Sequence, residues 1–224
     1  MDSVVISLGG SVLLAEDAQK QYVQQFAAVV NELSKSLRLG VVVGGGTVAR
    51  QYINRGRDLG FSESELDELG IAVTRVNALF LSYVLSGVHA RIPESTDIAS
   101  DSTDNVVVMG GTTPGHSTDL VGAELAEKMQ AIRFIIATNV DGVYDKDPNK
   151  FSSAKLFETI AIEALLEEYG DSWEAAGKNT VIDGPALRVI KKAKLNTRVV
   201  NGFKLDEVKK AILGKDFFGT KILV

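Results

Sequence analysis

Val41-Val42-Val43-Gly44-Gly45-Gly46-Thr47 is the stretch on which the fold turns. Three β-branched residues in a row, with no polar alternation, fit a short strand buried on both faces. The glycines then break it, and Thr47 to Leu59 reads as a helix. The same punctuation occurs on either side. Ser3 to Leu8 runs into Gly9-Gly10-Ser11, and Val106 to Met109 runs into Gly110-Gly111-Thr112-Thr113-Pro114-Gly115-His116-Ser117-Thr118-Asp119.

Outward from these turns, apolar runs alternate with amphipathic stretches. Tyr22 to Leu37 has helical spacing at Tyr22, Phe26, Val29, Val30, Leu33 and Leu37. Ser62 and Glu65 stand at capping-box spacing before a helix over about Glu63 to Leu85, whose expected buried face is Leu66, Leu69, Val73, Val76 and Phe80. Val88 to Ile92 reads as a strand and Pro93 to Asn105 as a polar stretch, partly loop. Thr118 to Gln130 reads as a helix and Phe134 to Thr138 as a strand. Asp141 to Ser153 is a long loop or hairpin. Helices follow at Ile162 to Tyr169 and Pro185 to Ala193. Strands at Val199 to Asn201 and Lys221 to Val224 flank a helix at Asp206 to Leu213. Strand and helix in alternation imply an α/β fold with a largely parallel sheet covered on both faces. No linker separates two independent domains.

Composition narrows the function. The 224 residues carry a net charge of −5, which disfavours a general nucleic-acid or anionic-membrane binder. The absence of cysteine excludes a disulfide framework, a thiolate nucleophile and Cys-based metal sites. The two histidines, His89 and His116, are too few for a His-rich zinc site. The start of the chain lacks the pattern of a signal peptide, and no apolar run approaches the ~20 residues that span a bilayer, so a soluble cytoplasmic protein is expected.

In a parallel sheet the three glycine turns fall at the carboxyl edge of the strands, where open α/β folds bind ligands. Glycine lets backbone approach an anion, and a helix starting there adds free N–H groups and a positive dipole end. Hydroxyls at Ser11, Thr47, Ser117 and Thr118 add donors. Glycine also follows strands for purely structural reasons, but three such turns, each followed by a hydroxyl residue and a helix, favour polyphosphate binding. The G-x-x-x-x-G-K-[ST] pattern is absent, which argues against a P-loop. Gly44-x-Gly46-x-x-Ala49 matches a short dinucleotide pattern, but no acidic residue ends the following strand, so NAD ranks below a kinase reading.

With these residues in view the chain resembles the amino acid kinase superfamily, and within it the archaeal branch of UMP kinases. The matching stretches are Ser7 to Ser11, Val41 to Gly46 with Ala49-Arg50, Leu69-Gly70-Ile71 with Thr74-Arg75 and Asn77-Ala78, Val108 to Thr112, Pro114 to Asp119, and Thr138-Asn139-Val140-Asp141-Gly142-Val143-Tyr144 with Asp147-Pro148. The resemblance implies a three-layer αβα sandwich and transfer of phosphoryl from MgATP to UMP. It also implies a UMP-binding lobe over about 1–120, an ATP-binding lobe over about 121–224, and a homohexamer.

Carried over residue by residue, the resemblance gives Gly10, Ser11, Gly46 and Arg50 to the ATP phosphates, and Thr138, Asn139, Tyr144 and Asp147 to the adenosine. It gives UMP to Gly45, Asp67, and the run Pro114, Gly115, His116, Ser117, Thr118, Asp119 and Leu120. Asp119 and Arg50 would be catalytic, Asp119 as an organising aspartate. No protein-held metal is implied beyond the Mg²⁺ that travels with ATP. Other readings stand beside these. Asp67 alone reads as a solvated helix acid, His116 as a loop residue, Tyr144 as core, Asp145 and Asp147 as turn formers, and Arg75 as a surface charge. Many superfamily members carry lysine where this chain has Ser7. The compensating cation is then sought in Arg50 or Mg²⁺, with Lys178 and Arg188 behind them.

Overall fold

The structure, a computed structural model, describes residues 1–15, 20–86, 91–170 and 181–224. In chain order the first half holds β1 (Ser3–Leu8), α1 (Gly10–Leu13), α2 (Lys20–Leu33), β2 (Arg38–Val43), α3 (Gly46–Asp58), α4 (Glu63–Val84), α5 (Thr96–Asp101) and β3 (Val106–Met109). Then come α6 (Thr118–Lys128), β4 (Arg133–Thr138), β5 (Thr159–Ala161), α7 (Ile162–Tyr169), α8 (Gly184–Ala193), β6 (Thr197–Asn201), α9 (Leu205–Leu213) and β7 (Gly219–Leu223).

One seven-stranded sheet runs in the order β3-β2-β1-β4-β6-β7-β5, parallel except where β7 meets β6. The chain builds outward from β1 through β2 to β3, then starts again on the other side of β1 with β4. Leu8 lies level with Val43 on one side and Ala137 on the other, and Val42 with Met109. The glycine turns after β1, β2 and β3 therefore open side by side at the reversal of strand order, the usual ligand crevice of such sheets. The expected α/β sandwich with a largely parallel sheet is the observed one.

Alternation along the strands sorts two apolar layers. Val4, Ile6 and Leu8 face one layer with Phe26 and Val30 of α2, Leu81 of α4 and Ile212 of α9. Val5, Val42, Phe134 and Ile136 face the other, with Leu125 of α6, Leu165 of α7 and Leu187 of α8. Each such fully buried side chain contributes roughly 1.5–3 kcal/mol.

The structure differs from the sequence expectation in particular places. On α4 the buried side is Leu66, Thr74, Asn77, Ala78, Leu81 and Ser82, while Val76 and Phe80 are 65% and 44% exposed. Apolar residues surround this helix, so periodicity alone could not choose a face; bonds made by Thr74 and Asn77 to the glycine turns choose it. The six-residue α5, capped by Ser95 accepting from the Ile98 N–H at 3.2 Å, lies inside the stretch expected to lack a clear element. The three-residue β5 was too short to show a period. Most of the strand expected over Val88 to Ile92 lies outside the described residues, and Arg91 and Ile92 are not in a strand.

The first two turns touch backbone to backbone. A methyl on Gly10 would stand 2.3 Å from the Gly44 carbonyl oxygen, and one on Gly46, whose φ is +64°, 2.5 Å from the Gly10 carbonyl carbon. Gly10→Ala is accordingly expected to cost about 3 kcal/mol in urea unfolding, because neither neighbour is a movable side chain. Gly60 has φ +82° but open space around it, so Gly60→Ala should cost only about 1 kcal/mol. Equal losses in the two variants would refute the packing argument.

Candidate active site

A cleft of about 570 Å³ opens at this strand edge, within the ~300–1,000 Å³ usual for ligand sites. Three glycine turns contribute to its wall, and so do the N-terminal ends of α3, α6 and α8 through Gly46, Thr118 and Gly184. Each helix end presents unpaired N–H groups and partial positive charge.

Helix α4 straps the turns in place. Asn77 Nδ2 donates to the Gly44 and Gly45 carbonyls at 2.9 and 3.3 Å. Thr74 Oγ1 accepts from the Gly111 N–H at 2.7 Å. Arg75 donates to the Gly111 and Thr112 carbonyls at 3.1 and 3.2 Å, so it is a turn-holding residue and not a free surface charge. One turn of helix from the cap, Asp67 Oδ2 accepts from the Gly115 N–H at 2.6 Å. Asp67 is therefore tied to the third turn and is not a solvated helix acid.

Two carboxylates face each other across the floor. Asp119 lies in the first turn of α6 and accepts from Ser7 Oγ at 2.6 Å. Asp183 caps α8 through the Ala186 N–H at 2.9 Å, and its other oxygen accepts from Ser117 Oγ. Ser117 is itself the cap of α6, accepting from the Leu120 N–H at 2.9 Å. The two helix caps are thus bonded to each other. Burial first, and the Asp183 charge second, push Asp119 up to about 7, against the opposing pull of the Ser7 hydroxyl.

Of the residues named from sequence, Gly10, Ser11, Gly45, Gly46, Arg50, Asp67, His116, Ser117, Thr118, Asp119, Thr138, Asn139, Tyr144 and Asp147 share this wall. Pro114, Gly115 and Leu120 are not on it. Leu120 is buried in the core, and Gly115, at φ +81°, shapes the turn. Arg50 reaches over the first turn, donating to Ser11 Oγ at 2.9 Å and Thr47 Oγ1 at 3.3 Å. Asp147 accepts from the Asn149 N–H at 2.9 Å and so is a turn former as well as a wall residue. Asp145 accepts from the Lys155 N–H at 2.7 Å. Tyr144 is partly buried at the wall, where burial and Asp141 raise its phenol pKa. Arg188 is exposed on α8 away from the cleft, and Lys178 lies outside the described residues.

The sequence reading missed Ser7 as a partner of Asp119, Asp183 as its opposing charge, and Lys146 as a further cation on the wall. Asp183-Gly184-Pro185 did carry a signal, a capping Asp with Pro in the first turn. Nothing local pointed that Asp at Asp119, because the contact is made between two helices distant in sequence.

The fold agrees with what the chain is similar to. The amino acid kinase family model matches residues 2–201, and the chain belongs to that family. Within the family, its relatives include the uridylate kinases of the archaea Methanobrevibacter smithii, 40% identical with 98% of both chains covered, and Thermoplasma volcanium, 41% identical with 99% and 97% covered. The solved uridylate kinase of Archaeoglobus fulgidus superposes with a TM-score of 0.86 over 99% of this chain and all of that one, at 39% identity.

The raised Asp119 pKa has a measurable consequence. In the unfolded chain this carboxyl ionises near pH 4, in the folded chain near 7. Its contribution to stability is full below about pH 4 and is lost as pH rises through 7. Asp119→Asn removes that loss. Its stability relative to the native chain should rise by on the order of 1–3 kcal/mol between pH 4 and pH 8, discounted for the side of Asp119 open to the cleft. Thermal denaturation of both proteins across pH checks this; a constant difference would exclude the shifted carboxyl.

Proposed function

We propose that this chain is a UMP kinase: it transfers the γ-phosphoryl group of ATP to UMP, giving UDP and ADP on the route to the pyrimidine nucleoside triphosphates. The observation that carries the reading is the near-full-length identity, about 40%, to archaeal uridylate kinases. The cleft supplies supporting chemistry, with three glycine turns and three helix N-termini at one strand edge.

In this reading Gly10, Ser11, Gly46 and Arg50 hold the ATP phosphates, and Thr138, Asn139, Tyr144 and Asp147 the adenosine. Gly45, Asp67 and the run from Pro114 to Leu120 receive UMP. A phosphate oxygen of UMP attacks the γ-phosphorus in line, the bond to the β,γ-bridging oxygen breaks, and ADP leaves with the negative charge. UMP needs no strong base, because its phosphate is already largely ionised near neutral pH. Asp119 orders donors around the transferring group, and Arg50 offsets charge.

Mg²⁺ would screen the phosphates of ATP. Such an ion is held chiefly by nucleotide oxygens and water, with few protein carboxylates needed. In this reading the two lobes, about 1–120 and 121–224, would meet along the paired strands β1 and β4. Gly10 and Gly46 belong by sequence to the first lobe, so the ATP phosphates would lie at the seam.

The reading extends to a cytoplasmic homohexamer. No described helix is long and apolar enough to cross a membrane. On α4, Val76, Phe80 and Tyr83 form an exposed apolar stripe, with Tyr83 71% exposed, on the side opposite the turn-holding residues. Exposed apolar surface of this kind suits a subunit contact.

A coupled ADP-release assay across UMP, CMP, AMP, GMP and isopentenyl phosphate should show activity led by UMP; activity led by another acceptor would refute the assignment. Arg50→Ala should lower kcat/KM by about a hundredfold, the loss of one preorganised donor. A fall of less than tenfold would remove Arg50 from the transfer step. Light scattering should report a hexamer, and Phe80→Glu with Tyr83→Glu should reduce it to smaller species while leaving each subunit folded.

A further inference from the structure

We infer that Ser7 is a positioning residue for phosphoryl transfer, its hydroxyl fixing the direction of the Asp119 carboxylate and favouring the ionised form to which it donates. The inference rests on the kinase reading above, because it gives Ser7 a part in that reaction.

The geometry is constrained on every side. Ser7 is only 3% exposed. It sits in β1, paired with Val42 of β2 and Ile136 of β4, so its backbone is clamped between two strands. Its side chain lies on the α6 side of the sheet, where Val5 and its neighbours are apolar. A buried hydroxyl without a partner is costly, and this one finds a carboxylate at 2.6 Å. The approach depends on Gly122. A methyl there would stand 2.8 Å from the Phe134 ring and 3.4 Å from Ser7 Cβ. Without a side chain at Gly122, α6 sits close to the strand, and Asp119, one turn earlier, comes within reach of Ser7.

The charges around Asp119 leave Ser7 a definite task. Asp183, from the cap of α8, is the charge that acts on it, and it opposes ionisation. Other ionisable groups on the described wall are Arg50, Asp67, His116, Tyr144, Lys146, Asp147, Glu168 and Tyr169. Burial and Asp183 both favour the protonated acid, in which one oxygen becomes an O–H donor and acceptor capacity is reduced. The Ser7 hydroxyl is the group that opposes them. It lies at the end of β1, and β1 leads directly into the first glycine turn, so strand, acid and turn are held in one register.

The test uses the full chain as four proteins: native, Ser7→Ala, Ser7→Ala with Asp183→Asn, and Asp119→Asn. Asparagine keeps the helix cap at 183. Infrared titration without nucleotide follows the C=O stretch of the protonated Asp119 acid, assigned by its loss in Asp119→Asn. In parallel, kcat for UMP phosphorylation is measured against pH. Ser7→Ala should raise the infrared midpoint by about one pH unit, the scale of a lost hydrogen bond to a charged group. The acidic limb of kcat should move with it, and the double variant should bring both back down. An unmoved infrared midpoint, or a shifted midpoint with an unmoved kcat limb, overturns the inference. A native protein that shows the Asp119 band and its Ser7-dependent shift but phosphorylates no UMP overturns the kinase reading and, with it, the catalytic part of this one. That result is distinct from an unmoved band in an active enzyme.

Discussion

Backbone meets backbone where Gly10 lies against Gly44 and Gly46, and the rest of the site is arranged around that contact. The atoms facing a hypothetical methyl at either glycine are carbonyl or amide atoms and not the ends of flexible side chains. Two strands joined at Leu8 and Val43 thus have turns that can close on each other in only one way. The spacing of their free N–H groups is then set by covalent geometry and van der Waals contact. Those glycines have a structural explanation that needs no ligand. The same contact is what would make the turns a rigid anion cradle, so the two explanations are one arrangement seen at different levels.

Helix α4 converts that local contact into a site. Its inward side spends polar residues on the turns, with Asn77 on the second and Thr74, Arg75 and Asp67 on the third. Its outward side keeps Val76, Phe80 and Tyr83 in solvent. The inward side also buries Leu66, Ala78 and Leu81, so α4 departs from the usual amphipathic order only in burying polar groups beside them and exposing an apolar stripe. The mixed face is stable because every inward polar group named here has a backbone partner, which removes the cost of burying it.

The sheet was legible because its strands are bare apolar runs ending in glycine, a pattern with few alternatives. The capping box at Ser62 and Glu65 marked the start of α4 for the same reason: two side chains and two backbone groups satisfy one another locally. Legibility failed where the deciding interaction was distant in sequence. The buried face of α4 is chosen by bonds from Thr74 and Asn77 to turns after other strands, which its own periodicity does not carry. Asp183 carries only the local mark of a helix cap in sequence, and its bond with Ser117 joins two helices distant in the chain. Short elements such as α5 and β5 offer too few residues for a period. Most wall residues are marked in the sequence by motif resemblance, whereas spacing alone says only that anions gather at one edge.

The acid pair sets the electrostatic problem that any occupant of the cleft must solve. Two helix N-termini meet at the bonded caps Ser117 and Asp183, and their partial charges favour carboxylates nearby. Asp119 is nonetheless held near 7, so burial and Asp183 outweigh the helix ends together with Ser7. A polyphosphate entering here adds negative charge beside two acids already opposed. Charge balance therefore requires cations to arrive with it or to wait on the wall. Arg50 is fixed over the first turn by two hydroxyls. Lys146 is exposed on the loop after Tyr144, with its ammonium 5.6 Å from the Phe151 ring centre. One cation is preorganised and the other is carried on an exposed stem, and that difference in freedom fits Arg50 as the group that can act without reorganising when charge shifts in the transition state.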